Sequence, residues 1–343
     1  MTGLTLVDEA LASVPLLAGH PVRWSRMPGG LSHQVYRVDV DTDGDEPGRA
    51  AGGTGQNRYV LRILDPAVSD AGLGIPPEQE LDNTRRAAES GVGARVLAVL
   101  PELPALLLEY LPGRTLGPGD VAGAIGPIAS ACRRLHAGPA FGNDFDISRK
   151  RAELLTICER HGLAVPAGYR AARSAVDDVA RALAAWPPPP VPCHNDLLAE
   201  NLIVDQPAGE PAGASAGEPA GVRIVDYQLS GNNDPTFDLG DIAAEADFDP
   251  DQCGALAAAY FGPDLTEALV ARVRLQLLLS NATWTLWFSV HHGLLRPGTA
   301  FDYRSEADDK WRQALRDLNA PELGALIDAV AGRRPDRRPT LTR

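Results

Sequence analysis

The chain changes character once. Between Trp24 and Tyr110 apolar residues alternate with polar ones in short runs, whereas from Val121 onward they recur at helical spacing, and Pro112-Gly113 separates the two regimes. Strands gathered before helices do not make the alternating βαβ units of a parallel sheet. They segregate into a mainly β body and a mainly helical one, an α+β architecture. With 343 residues the chain is long enough for two bodies that each bury a core.

In the first body, Pro28-Gly29-Gly30 followed by alternating Val35, Tyr36, Arg37 and Val38 predicts a hairpin with a glycine turn over Trp24 to Val40. A further strand follows at Tyr59 to Leu64, and the Asp- and Gly-rich stretch Asp41 to Gln56 reads as a hairpin tip. Pro76-Pro77 opens and Gly91 closes a helix over Glu78 to Ser90, the one helix expected in this lobe. Arg95 to Leu100 and Ala105 to Tyr110 add two more strands.

The second body is expected to carry helices over Ile125 to His136, Arg151 to His161 and Tyr169 to Trp186. Leu275 to Val290 is apolar but contains Gln276, Ser280, Asn281, Thr283, Thr285 and Ser289, so it reads as a buried helix rather than a membrane span. Pro187 to Pro190 is a stiff spacer. Gln206 to Gly221, with Ala-Gly-Glu-Pro-Ala-Gly twice, reads as a floppy loop between strands at Leu202 to Asp205 and Val222 to Tyr227. This division gives an N-terminal lobe at residues 1–108, a hinge at 109–113, a C-terminal lobe at 114–332 and a basic tail at 333–343, read as disordered and assigned no function.

A net charge of -13 argues against broad binding to nucleic acid or to an anionic membrane, which needs clustered Lys and Arg. It is compatible with a cationic substrate, although solubility alone accounts for it. Cys132, Cys158, Cys193 and Cys253 show neither C-x-x-C pairing nor metal-ligand spacing, which fits reduced thiols in the cytoplasm. Met1 to Gly19 has neither the basic start nor the unbroken apolar run of an export signal, so a cytoplasmic protein is expected.

The chemistry is concentrated in His194-Asn195-Asp196-Leu197-Leu198-Ala199-Glu200-Asn201 and in the apolar strand Ile224-Val225 that ends in Asp226. Transfer of a γ-phosphoryl group needs a carboxylate at the attacking hydroxyl and oxygen ligands that hold Mg²⁺ against the nucleotide phosphates. An Asp on a loop, an Asn five residues later and an Asp closing the next strand supply those oxygens. Asp196 is therefore the candidate base, and Asn201 and Asp226 are the candidate metal ligands. Each alone could be a turn-capping residue; their spacing together is not explained that way.

These residues resemble the aminoglycoside phosphotransferase and choline kinase superfamily, whose two-lobed fold is similar to that of protein kinases. The resemblance runs from about Trp24 to Trp311, and Val225-Asp226-Tyr227-Gln228 followed by Asp234-Pro235-Thr236-Phe237-Asp238-Leu239-Gly240 is similar to the choline and ethanolamine kinase branch. It implies a protein-kinase-like fold with a small antiparallel β lobe and a larger helical lobe, and it implies ATP and Mg²⁺ as cofactors. His194, Gln228 and Asp238 become supports of the catalytic loop, with a helix N-cap as the other reading of Asp238.

The resemblance further implies that Arg62 on its strand faces the nucleotide phosphates with Glu80 as its acidic partner. Gly29, Gly30 and Ser32, beside His33, stand at the phosphate-covering turn, and Glu109 to Leu111 stand at the hinge that meets adenine. Trp284 and Trp287 resemble the choline-binding Trp pair, with Glu245 near the family's acidic contact, Phe248 near an aromatic position and Phe301-Asp302-Tyr303 like the segment that follows. The acceptor is then a small hydroxyl compound such as choline, ethanolamine or a related amino alcohol. The rivals are an aminoglycoside, thiamine or amino-sugar acceptor, and a nucleotide-binding scaffold without turnover. A homodimer is compatible with the resemblance, but no sequence feature marks its surface.

Overall fold

The computed structural model describes residues 5–27, 32–41, 56–100, 103–205, 221–295 and 301–332. The expectations for Gly29, Gly30, the interior of the 41–56 tip, residues 206–220 and the tail from 333 fall outside them.

Among the described residues of the small lobe, β1 (Val22–Arg26), β2 (Gln34–Asp41), β3 (Gln56–Ile63), β4 (Val96–Leu100) and β5 (Ala105–Glu109) form an antiparallel sheet in the order β1-β2-β3-β5-β4. The pleat of β3 sorts its side chains. Leu61 and Ile63 join Val38, Val40 and Leu107 on one face, which is covered by Val7, Leu11 and Val14 of the N-terminal segment. Val60 turns to the other face with Leu106 and Leu108, and Arg62, two residues on, shares that face.

The expected helix is α3 (Pro77–Glu89), but the lobe also holds α1 (Leu6–Ala12) and α2 (Pro66–Asp70). Helices of 7 and 5 residues are too short to show a 3.6-residue period, and caps carry them instead. Thr5 and Asp8 form a capping box on α1, and Asp65 caps α2 through the Ala67 amide.

The second lobe contains α4 (Ile125–His136), α5 (Ile147–Arg160), α6 (Arg173–Ala185), α7 (Pro235–Glu245), α8 (Pro250–Phe261), α9 (Glu267–Val290), α10 (Tyr303–Leu318) and α11 (Leu323–Ala331). The buried helix read from Leu275 to Val290 is the second half of α9, around which α5, α7, α10 and α11 pack. Three of its polar residues survive burial because their donors are used locally. Thr283, Thr285 and Ser289 donate to the carbonyls of Leu279, Asn281 and Thr285, each at 2.7–2.8 Å. Among the described residues no helix is long and apolar enough to cross a membrane.

α7 and α9 approach unusually closely at Gly240, where a Cβ would lie 2.5 Å from the Gln276 Cβ and 2.7 Å from the Leu277 amide nitrogen. Gly240→Ala is expected to destabilise the fold by about 1–3 kcal/mol through overpacking. Urea unfolding reads this as a lower midpoint at unchanged m-value; an unchanged midpoint would contradict the close fit.

Five short strands frame the centre: β6 (Gly113–Thr115), β7 (Val191–Cys193), β8 (Leu202–Asp205), β9 (Val222–Ile224) and β10 (Gly231–Asn233). β8 lies between β6 and β9 in one small sheet, and β7 pairs with β10 in another. The strand expected to reach Tyr227 stops at Ile224. Asp226 has φ of 72°, in the left-handed region that a continuing strand cannot accommodate.

Candidate active site

Because β7 pairs with β10 and β8 with β9, the loop 194–201 and the loop 225–230 lie side by side. The Val225 amide donates to the Asn201 carbonyl at 3.0 Å and locks them together.

The first loop turns at Asn195, whose φ of 64° is left-handed. Asn is tolerated there, and its side chain holds the turn: Nδ2 donates to the Leu229 and Gly231 carbonyls, and Oδ1 accepts from Asn233 Nδ2 at 2.9 Å. Asp238 accepts the His194 amide at 2.9 Å and the Asn195 amide at 2.8 Å. It also meets His136 Nε2 at 2.9 Å, while Tyr260 OH holds the other nitrogen of that ring. Burial alone would raise the Asp238 carboxyl, but His136 and the loop amides keep it below its ordinary value. Asp238 thus braces the loop, and the N-cap of α7 is Asp234, which accepts from the Thr236 amide.

His194 Nδ1 accepts the Asp196 amide at 3.2 Å, so Nε2 carries the proton and donates to the Val225 carbonyl at 2.9 Å. Burial lowers the pKa of this imidazole, in keeping with a neutral ring. His194 therefore sews one loop to the other.

Asp196 is 8% exposed, and its Oδ2 accepts from Gln228 Nε2 at 3.2 Å. Burial first, then the charges of Asp241 and Asp226, push its carboxyl well above the usual range. Gln228 Oε1 is buried with no hydrogen-bond partner. Asn201 donates its Nδ2 to the Asp196 carbonyl at 2.9 Å, which turns the oxygen end of the amide outward as the end able to meet a cation. With Asp226 next to it across the Val225–Asn201 bond, the pair offers the oxygen-only donor set that suits a hard divalent ion.

Arg62 comes from the other lobe. Its Nε and Nη2 reach Glu80 Oε1 at 3.1 and 2.9 Å, and Nη2 also pairs with Asp226. Burial would lower the guanidinium's proton affinity, but Asp226 and Glu80 raise it further, so the charge is secure. Burial likewise opposes ionisation of Asp226, and Arg62 more than offsets it. His33 accepts the Asp65 amide at Nδ1, 2.9 Å, and points Nε2 at Glu80, 3.4 Å away. Beside it, the Ser32 hydroxyl is buried with no hydrogen-bond partner.

In the segment expected to be the hinge, the Glu109 amide donates to the Arg95 carbonyl, and its carboxylate accepts from Arg95 and Arg223. Those cations hold the carboxyl below its ordinary value against the effect of burial. Leu111 is buried with Ala94, Leu106 and Leu108.

Trp284 and Trp287 are buried in one core. The Trp284 indole donates to Asp241 at 2.7 Å and the Trp287 indole to the Leu73 carbonyl at 2.8 Å. The Trp287 ring is flanked by His291 at 5.0 Å and Phe288 at 5.2 Å. Glu245 pairs with the buried Lys310 at 2.7 Å. Phe248 is set apart from the tryptophans. The left-handed turn at Asp247, φ 50°, carries the chain away, and the Phe248 ring joins Leu239, Ile242 and Tyr260 in a separate core.

The model of the phosphotransferase enzyme family matches residues 23–271. The chain belongs to that family. This phosphotransferase superposes on a choline/ethanolamine kinase family protein from Mesorhizobium loti with a TM-score of 0.75 and 28% identity, covering 96% of this chain and 100% of that one. The choline kinase LicA from Streptococcus pneumoniae shares the fold at a TM-score of 0.67 and 18% identity, with 91% and 97% covered. Among curated proteins, LicA of Haemophilus influenzae is 30% identical over 110 residues, which are 30% of this chain and 36% of that protein. Mouse ethanolamine kinase 1 is 31% identical over 122 residues, 29% of this chain and 31% of that protein. The phosphotransferase thus matches about a third of the length of these curated relatives.

Four residues of the phosphotransferase's site escaped the sequence reading of its machinery: His33 as a partner of Glu80, His136, Lys310 and Asp241. Asp241 carried a usable signal, an acid three residues after Asp238 in the otherwise apolar run Phe237 to Ala244, and so on the same helix face. Among the described residues, His136, Cys193 and Asp238 converge as metal ligands would. The His136–Asp238 separation of 2.9 Å is a hydrogen bond, and the Cys193 thiol faces the Asn233 and Asp234 carbonyls, so the group is a brace.

Proposed function

We propose that this phosphotransferase is an ATP- and Mg²⁺-dependent kinase that moves the γ-phosphoryl group onto the hydroxyl of a small amino alcohol. One observation carries the reading: Asp196, Asn201, Asp226 and Arg62 belong to a single hydrogen-bonded frame that spans both lobes. Base, metal ligands and phosphate-facing cation are then held in fixed relation before substrate arrives, which is most of what phosphoryl transfer asks of a protein.

In this reading residues 1–108 cover the nucleotide, 109–113 are the hinge, 114–332 carry the chemistry, and the enzyme works in the cytoplasm. Asn201 and Asp226 would hold Mg²⁺, which when bound would supply charge neutralisation at the nucleotide phosphates. Arg62, fixed by Glu80, faces the same phosphates with Ser32 and the Gly29-Gly30 turn. Asp196 accepts the acceptor's hydroxyl proton as its oxygen bonds to phosphorus and the bond to ADP breaks.

The acid surplus of Asp196, Asp241 and Glu245 against Lys310 supports a cationic acceptor. A quaternary ammonium needs open aromatic faces, whereas a primary ammonium needs acceptors. The buried Trp284 and Trp287 and the unpartnered Gln228 Oε1 favour the primary amine. In an ADP-release assay, ethanolamine-like alcohols are expected to exceed choline, thiamine, aminoglycosides and amino sugars in kcat/KM. Activity confined to an aminoglycoside or a sugar would replace the acceptor, and turnover with none would overturn the reading.

A further inference from the structure

Asp241 has no exposed surface, yet its two oxygens collect donors from two separate elements. Oδ2 accepts the Leu197 amide of the catalytic loop at 2.7 Å. Oδ1 accepts the Ser280 hydroxyl at 2.6 Å and the Trp284 indole at 2.7 Å, both on α9. Leu197 is the residue after Asp196.

We propose that Asp241 is a positioning residue that ties the backbone beside Asp196 to Trp284, so that the setting of the base depends on a fully buried carboxylate that itself takes no part in the proton transfer. This rests on the reading of Asp196 as the base. A charged acceptor makes each of its hydrogen bonds stronger than a neutral one would, and three from two directions leave the loop one position. Trp284 is then a strut, and its ring need not touch a ligand for its indole N–H to matter.

The charges around Asp241 make the strut sensitive to its protonation. Asp196 faces it from the loop and Glu245 from its own helix, Ser280 and Trp284 from α9 bring no charge, and Lys310 of α10 is engaged by Glu245. Among the described residues no Lys, Arg or His pairs with Asp241. Burial and then Glu245 push its carboxyl up to about 7. A proton taken up on the free lone pair of Oδ2 removes the charge, so all three bonds weaken below that pH. The tie is therefore complete on the alkaline side and loosens on the acid side.

The Trp284 indole N–H resonance, assigned through Trp284→Phe, reports the tie without any turnover. It is expected to titrate between about pH 5 and about pH 9 in the full-length protein, and Asp241→Asn is expected to remove that titration. With an acceptor that is turned over, Asp241→Asn is expected to lower kcat on the order of 10–100-fold at nearly constant KM for ATP, and Asp241→Glu to restore part of it. A flat resonance, or wild-type kcat in Asp241→Asn, overturns the proposal. Should that variant not fold, Trp284→Phe keeps the charge and most of the packing; a wild-type kcat there overturns it as well. If no acceptor is turned over, the functional reading fails, and the resonance still decides the link between Asp241 and Trp284.

Discussion

Asp196→Asn is expected to lower kcat by about 10²–10⁴-fold, the range general bases supply, while nucleotide affinity stays within about twofold of wild type. The substitution keeps the shape and one hydrogen bond to Gln228, and the Asn201 bond goes to the backbone carbonyl of residue 196, which is untouched. What is lost is the capacity to take a proton. Burial and the charges of Asp241 and Asp226 raise that capacity in the resting enzyme. On the proposed reading an acceptor ammonium and a divalent ion would work against the rise, so the substrates themselves would ready this carboxyl for ionisation. Single-turnover kinetics beside calorimetric nucleotide titration separates the two quantities. A variant that keeps more than about a tenth of wild-type kcat would remove Asp196 from the role of base.

Asp238→Ala is expected to cost about 3–5 kcal/mol of folding stability, far more than an average substitution. Its carboxylate, with no exposed surface, accepts the His194 and Asn195 amides and the His136 ring. Deletion leaves two buried amides and one imidazole without their partner. Because the folded carboxyl lies below 3.8, its stabilisation is complete above that unfolded value and is lost as the pH falls through the folded one. Urea midpoints of wild type and Asp238→Ala should therefore differ fully at neutral pH and converge in acid. Equal midpoints at neutral pH would contradict the bracing role.

The strand-then-helix division was legible because it is written in periodicity, which needs only neighbours in sequence. The loop 194–201 was legible for a different reason: its chemistry is packed into eight consecutive residues. Arg62 and Asp226 are 164 residues apart, and periodicity says nothing about such a pair. It was reached through the resemblance to a family. α1 was missed because a two-turn helix has no period to read, although Thr5 and Asp8 spell a capping box. Asp241 was missed because its partners come from a loop and from α9, and a buried acid in an apolar helix says only that some donor must meet it. The tryptophans mark a different limit. Their spacing on one face was plain, but whether that face meets a ligand or the protein depends on how α9 packs against α7, and Gly240 decides that.

On the proposed reading, in which Asp226 would hold the ion, the tie from Arg62 to Asp226 bears on the site between turnovers. A carboxylate poised for an ion becomes an uncompensated charge whenever the ion departs, and a buried one would then take up a proton or force the loop open. Here the guanidinium is already at the carboxylate, anchored from behind by Glu80. Departure of a cation exchanges one positive neighbour for another, and the two lobes are drawn together by the same contact. The resting protein thus keeps Asp226 ionised without help from any substrate.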